Sequence, residues 1–309
     1  MLARRTLALA AAGLTAVLLG ACGSNGARDA GDPQIAVATT TQVADLARTV
    51  AGERAEVRQI LRPNSDPHAY EPRPSDVKAV ADAAVVLRSG GGLDDWLGDV
   101  VDNAGSDAAV TTLIDAVRPR RDADGIDPHW WQDPRNAIAA VRRIRDVMSA
   151  ADPAGRAVYR DNAAAAAAKL RTLDAAISAC MRSIPAARRK LVTDHDALGA
   201  YADRYGIALV GTVIPALSTQ AQASAGEVAR LVRTIRGTGV RTIFPEDSAS
   251  AKLARAIARD AGVRIGPALY ADTLGPSGSP GATYLGSLRF NTRALAAGFG
   301  GGAGSACQL

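Results

Sequence analysis

Three histidines are all that the chain of 309 residues contains, and each stands beside carboxylates. His68 lies in Asp66-Pro67-His68-Ala69-Tyr70-Glu71-Pro72, His129 in Asp127-Pro128-His129-Trp130-Trp131-Gln132-Asp133-Pro134, and His195 in Thr193-Asp194-His195-Asp196. The triplet Asp-Pro-His therefore occurs twice. Proline fixes φ and drives the preceding residue into an extended conformation, so each triplet holds its imidazole on a stiff loop. Stiff loops suit metal ligation, because less conformational entropy is lost when the ligands are ordered around an ion. Neutral imidazole nitrogens favour zinc and neighbouring transition metals, and a nearby carboxylate fixes the tautomer by accepting the second ring N–H. A single loop histidine is ordinarily a surface or hydrogen-bonded residue. Three in a chain that uses histidine nowhere else, each at a loop that would face a cleft, point to a metal site.

Those loops need a frame. Over residues 34–118 short apolar runs alternate with helical patterns: strands are expected at 34–38, 56–61, 84–87 and 109–114, and helices at 43–51, 77–83 and 93–103. The alternation returns after residue 188, with strands at 190–193, 207–213 and 242–244 and helices at 198–205, 224–236 and 249–261. Ser224-Ala225-Gly226-Glu227 is a capping box at the head of one of these helices. Strands separated by helices imply parallel sheets covered on both faces. Between the halves, residues 155–183 carry no proline, no strand pattern and the alanine run 163–168, which predicts one long helix started by Asp152-Pro153 and stopped by Ile184-Pro185. The expected fold is α/β: two lobes, at residues 34–151 and 186–309, each a mostly parallel sheet flanked by helices, joined by one long backbone helix within 152–185. A ligand would sit in the interlobe cleft, beyond the carboxyl ends of the strands, where open parallel sheets bind. A single helical strut should also restrict hinge motion.

The N-terminus indicates the compartment. Arg4 and Arg5 precede an apolar stretch at 7–19 that is too short to span a bilayer comfortably, which reads as a secretory signal peptide over residues 1–21. Leu19-Gly20-Ala21-Cys22 resembles a bacterial lipobox, with cleavage before Cys22 and a diacylglycerol on its thiol. Residues 22–33 then form a flexible tether that begins Cys22-Gly23-Ser24-Asn25-Gly26. The expected location is extracytoplasmic and lipid-anchored to the cell membrane, reached by the general secretory or the twin-arginine route. Losing the signal removes Arg4 and Arg5 and lowers the net charge from +5 to +3. The remaining charges are scattered, with no basic stripe interleaved with aromatics, which argues against nucleic-acid binding. Cys180 and Cys307 match no thiolate metal spacing; in an oxidising compartment a disulfide between them and two free thiols both fit. Gly90-Gly91-Gly92 reads as a turn rather than a phosphate loop, and the glycine-rich segment 299–304 as flexible unless Cys307 pins it.

Together these segments resemble the zinc/manganese ABC-transporter solute-binding lipoproteins of the TroA/ZnuA-like group over nearly the whole mature chain. The matching stretches are Val37-Ala38-Thr39-Thr40-Thr41, the two Asp-Pro-His segments with Asp76 and Asp133-Pro134, Thr193-Asp194-His195, Ile243-Phe244-Pro245-Glu246, and Leu269-Tyr270-Ala271-Asp272-Thr273-Leu274-Gly275. The resemblance implies one metal ion bound by His68, His129, His195 and Asp272; spacing alone does not single out Asp272. It makes Glu246 a hydrogen-bond acceptor for a ligand histidine. Asp247 reads as a helix-start residue. The implied partners are a membrane permease and its separate ATPase, with the protein itself monomeric. Two departures stand out. The His/Asp-rich loop that many zinc members carry is missing, since residues 115–124 contain no histidine, and Trp130-Trp131 is bulkier than many members show, either walling the site or filling the lobe interface. Manganese-selective members usually have Glu at the third position, where this chain has His195. Three imidazoles and one carboxylate suit four-coordinate zinc, so Zn2+ is the expected cargo and Mn2+ the alternative.

Two other classes compete. A metallohydrolase would use three histidines and an open fourth position, but no His-Glu-x-x-His or His-x-Glu pairing occurs and Asp272 would close the coordination, so no enzyme is expected. A metal-independent surface adhesin would be indifferent to loss of His68. No Gly-x-x-x-x-Gly-Lys-Ser/Thr stretch occurs, which assigns ATP hydrolysis to a partner.

Overall fold

The computed structural model describes residues 34–122, 125–248 and 250–300 together with Cys307 and Leu309; the expected signal, Cys22 and the tether lie outside these residues. The first half runs β1 (Gln34–Ala38), α1 (Thr41–Ala51), β2 (Ala55–Gln59), α2 (Pro74–Ala81), β3 (Val85–Arg88), α3 (Leu97–Ala104) and β4 (Ala109–Thr112). A short antiparallel ribbon of β5 (Arg121–Asp122) and β6 (Gly125–Ile126) and then α4 (Pro134–Ala151) complete it. The first four strands form one parallel sheet in the order β2-β1-β3-β4. After α5 (Arg156–Arg182), the second half runs β7 (Lys190–Thr193), α6 (Gly199–Tyr205), β8 (Ala208–Thr212), α7 (Ala225–Thr238), β9 (Thr242–Ile243), α8 (Lys252–Ala261), β10 (Arg264–Ile265) and α9 (Tyr284–Gly298). β7 pairs with β8 and β9 with β10, all parallel, and a parallel bridge from Thr193 to Phe244 joins the pairs in the order β8-β7-β9-β10. Both halves thus repeat one topology, in which the strand order reverses beside the first strand and opens a crevice at its carboxyl end.

Burial on both faces explains the apolar strands. In β1, Ala36 and Ala38 face a core shared with α1, α4 and α5, while Val37 faces Val80, Val86, Leu97 and Val100 on the other side of the sheet. α5 spans 27 residues, about 40 Å at 1.5 Å per residue. Its buried stripe, including Tyr159, Ala163, Ala166, Leu170, Leu173 and Ile177, recurs at helical spacing, and the helix packs against α1 and α4 of the first half and α6 and α9 of the second. Asp152 caps the single 3-10 turn Pro153–Gly155 that leads into it: one oxygen accepts the Gly155 N–H, and the carboxylate also holds the Arg54 guanidinium through two bonds of 2.7 and 2.9 Å. Near its end Cys180 is disulfide-bonded to Cys307.

Two helices lie outside the elements expected from the sequence. α4 carries four arginines, so its buried stripe of Ala137, Ala140, Val141, Ile144, Val147 and Met148 is diluted by charge. α9 buries Ser287, Asn291 and Thr292 among its apolar residues, which blurs its periodicity. The helix expected from residue 93 begins only at Leu97, because the Asp94 carboxylate accepts from Ser89 and Gly90 N–H and from Thr39 Oγ1 and so folds the segment back as a turn. A Cβ on Gly90 would lie 2.6 Å from Thr112 Cγ2, at a φ of +88°. Asp247 starts no helix, since α8 begins at Lys252. Among the described residues no helix is long and apolar enough to cross a membrane.

Candidate metal centre

Both Asp-Pro-His triplets fold alike. The aspartate carboxylate accepts the histidine N–H two residues on, at 2.9 Å in each case, so Asp66 and Asp127 pin the backbones of His68 and His129 with a proline locked between. Asp127 goes further: the same oxygen lies 2.8 Å from His129 Nδ1, which places the ring proton there and turns Nε2 toward the crevice. His195 follows β7 directly. Glu246, one bridge beyond β9, accepts its N–H at 3.1 Å and brings Oε2 to 2.7 Å from its Nδ1. Glu246 is itself placed by Asp194, which accepts the Glu246 N–H at 2.9 Å. Two different carboxylates, one on each half, therefore each accept a histidine backbone N–H and stand within 2.8 Å of that histidine's Nδ1.

The three Nε2 atoms converge on Asp272. His129 Nε2 is 3.3 Å from Asp272 Oδ1, and His195 and His68 Nε2 are 3.4 and 3.7 Å from Oδ2. His129 Nε2 also lies 3.3 Å from His68 Nε2 and 3.4 Å from His195 Nε2. One ligand atom from each of the four residues falls within 4.8 Å of the others. Both Asp272 oxygens are buried without a conventional hydrogen-bond partner, as are few side-chain atoms among the described residues. His129, His195 and Asp272 are fully buried, whereas His68 borders a surface cavity of about 350 Å³ that Gly91, Pro128, Leu217 and Gln220 also line.

Charge in this cluster is finely divided. Burial lowers the pKa of His68 to about 4, against the pull of Asp272. Burial also disfavours the charged forms of His129 and His195, but carboxylates outweigh it: Asp127 and Asp272 raise His129 to about 10, and Asp272 and Glu246 raise His195 to about 9. Asp272 pays a burial penalty that the three imidazoles overcome, holding it well below the ordinary carboxylate range. The arrangement stabilises added positive charge among its carboxylates, which is what a cation site requires.

The sequence profile of the family described as zinc-uptake complex component A, periplasmic (ZnuA) matches residues 36–298. The chain belongs to this family. Relatives of this ZnuA-family chain include the manganese-binding lipoprotein MntA of Halalkalibacterium halodurans, 32% identical over 288 residues that cover 92% of this chain and 95% of that one. Another is the iron-binding protein YfeA of Yersinia pestis, 31% identical over 268 residues, 85% of this chain and 86% of that one. Among solved structures, the periplasmic zinc binding protein TroA from Treponema pallidum superposes with a TM-score of 0.82 at 25% identity, covering 87% of this chain and 99% of that one. The chain is thus a substrate-binding protein of a metal ABC transporter, with the family's α/β fold and two-lobed arrangement.

The structure brings His68, His129, His195 and Asp272 together and sets Glu246 behind His195. Cys180 and Cys307 lie on α5 and the C-terminal segment, outside the cluster, and Cys22 lies outside the described residues. The two tryptophans divide their tasks. Trp131 stands edge-on to His129, centroids 5.5 Å apart, and donates Nε1–H to the Ala271 carbonyl, while Trp130 donates to Ser89 Oγ. Gln42, Gln132, Arg120 and Thr219 also bind the loops of this centre and left no sign in the sequence reading. Two of these bonds go to the Ala271 carbonyl and two join side chains, all between residues 76 or more positions apart, which no local spacing reveals.

Proposed function

We propose that this protein captures Zn2+ outside the cytoplasmic membrane through His68, His129, His195 and Asp272 and passes it to a membrane permease driven by a separate ATPase. The observation that carries the reading is the buried quartet itself: four ligand atoms within 4.8 Å of one another, around carboxylate oxygens that lack a conventional hydrogen bond. Spacings of 3.3 to 3.4 Å between its nearest atoms match the edges, about 3.3 Å, of a tetrahedron with metal–ligand bonds near 2.0–2.1 Å. The N₃O donor set supports zinc over manganese, which prefers more oxygen ligands and stands lower in intrinsic affinity. Manganese is the second reading, favoured by the manganese-binding relative; it would draw on both Asp272 oxygens.

The same reading makes residues 1–21 a cleaved signal, Cys22 the lipid-bearing residue, 22–33 a tether, and 34–151 and 186–309 two lobes linked by 152–185. The protein acts as a monomer and catalyses no reaction. Elemental analysis tests the cargo. After chelation, soluble protein lacking residues 1–22 is reloaded from equimolar zinc, manganese and iron. About one zinc per chain is expected, with manganese below about a tenth of it. Manganese in excess would replace the named metal, and no bound metal would overturn the reading. Mass spectrometry of membrane-derived protein should find diacylglycerol on an N-terminal Cys22; an unmodified Cys22 would refute the anchor.

A further inference from the structure

Asp272 comes from the second half of the chain, yet the peptide that carries it is bonded to the first. The Ala271 carbonyl accepts from Trp131 Nε1 and Gln132 Nε2, both at 2.9 Å, and from Gln42 Nε2 at 3.4 Å, and all three donor residues are buried. The attachment continues past the aspartate. Asn64 N–H donates to Thr273 Oγ1 at 3.1 Å, and Leu274 N–H to Thr41 Oγ1 at 2.8 Å. Further on, Tyr284 N–H donates to Asp45 and its hydroxyl to the Trp131 carbonyl. The preceding residues behave differently: Leu269 is bonded to Pro245 and Asp247, and Tyr270 to Asn291. The switch of allegiance falls at Ala271.

His195 has the opposite attachments. Its N–H and ring are held by Glu246, and its carbonyl accepts from Thr193 Oγ1 at 2.8 Å, all within the second half. Its neighbour Asp196 reaches the first half through Arg120 Nη1 at 2.9 Å, a pair about one-fifth exposed on each side. From the second half, Gln220 also donates to the His68 carbonyl and Thr219 to Asp66, each by a single bond near the surface. Parting a partly exposed ion pair or a surface hydrogen bond costs less than stripping a buried carbonyl of three donors, because water replaces the first and cannot reach the second.

Resting on the four-residue metal site proposed above, we infer that the site divides three to one between its halves. Asp272 stays with His68 and His129 when metal leaves, and separation of the halves withdraws His195 together with Glu246. Trp131 and Gln132 are positioning residues for Asp272: they act on it through the Ala271 peptide and touch no metal.

The chain has three tryptophans, so its indole N–H signals are few enough to follow one by one by NMR. In ¹⁵N-indole-labelled protein, with Trp131→Phe used for assignment, solvent exchange of the Trp131 indole proton should differ by less than about threefold between the metal-free and the zinc-chloride-loaded protein. Acceleration of about tenfold or more in the metal-free protein would overturn the inference, since the Ala271 bond would then open with the site. A thermodynamic cycle supplies the second arm. Trp131→Phe with Gln132→Leu should weaken zinc binding about tenfold in the parent protein and less than about twofold when Asp272→Asn is already present. Equal losses in both backgrounds would mark a general structural role and defeat the assignment. Failure of the parent protein to bind zinc would defeat the metal-site reading instead, and the metal-free exchange rate would still report on the Ala271 bond.

Discussion

His68 and His129 share a triplet, a turn and a hydrogen bond, but not a role. In both, the aspartate pins the histidine N–H at 2.9 Å. Asp127 then uses that same oxygen on the ring of its own histidine, whereas Asp66 sends its second oxygen to Thr219 of the other half, at 2.6 Å. His129 is fully buried with a charged carboxylate behind it; His68 borders a cavity and carries a lowered pKa. A local motif therefore fixes the backbone, while surroundings supplied from far along the chain decide whether the imidazole is an anchored ligand or the one that borders the surface cavity. On this account metal enters and leaves past His68.

The two histidines should differ most as ligands. His129→Ala should weaken zinc binding by on the order of a thousandfold and His68→Ala by about a hundredfold, read by competition calorimetry, because the first also takes from the buried Asp127 carboxylate its ring partner, leaving it only the backbone N–H and Arg120. Equal losses would put the two triplets on one footing. Next come their aspartates: Asp127→Ala should cost about ten- to a hundredfold in affinity, and Asp66→Ala no more than about threefold. A reversed order would mean that ring orientation is set elsewhere.

Protons sharpen the contrast further. Ligation needs neutral imidazoles, and in the metal-free site the pKa values of His129 and His195 are raised to about 10 and 9, so both hold protons at neutral pH that an incoming metal must displace. Affinity should therefore fall as the pH drops from 9 through neutrality, well before the ordinary histidine value near 6.5. His68, lowered to about 4, adds nothing to this slope above about pH 5. Calorimetry in buffers of different ionisation enthalpy should count about two protons released per zinc at pH 7.5. Affinity constant between pH 6 and 8 would contradict the division of charge. The smallest effect belongs to Thr219→Val, which should speed zinc dissociation only about two- to threefold by freeing the His68 loop, with little change in stability.

Much of this was legible because histidine is rare in the chain. Three His residues beside carboxylates mark the centre without any knowledge of the fold, and the βαβ alternation predicts where their loops gather. Asp272 was different. Nothing in its spacing separates it from other loop aspartates, and only the family resemblance singled it out. The grip on Ala271 was invisible, since a backbone carbonyl has no sequence signature and its donors lie 139, 140 and 229 residues away. Asp247 was misread for the opposite reason: an acidic residue before a helical pattern looks like a cap, but the helix starts five residues later. The cysteines left two readings open because loop closure depends on where α5 ends in space, and the structure pairs them.

Anomalous diffraction at the zinc edge from crystals of zinc-loaded protein tests the central assignment most directly. One zinc peak per chain is expected, bonded to Nε2 of His68, His129 and His195 and to Asp272 at about 2.0–2.1 Å. A peak bonded to other residues, or none in this cluster, would contradict it.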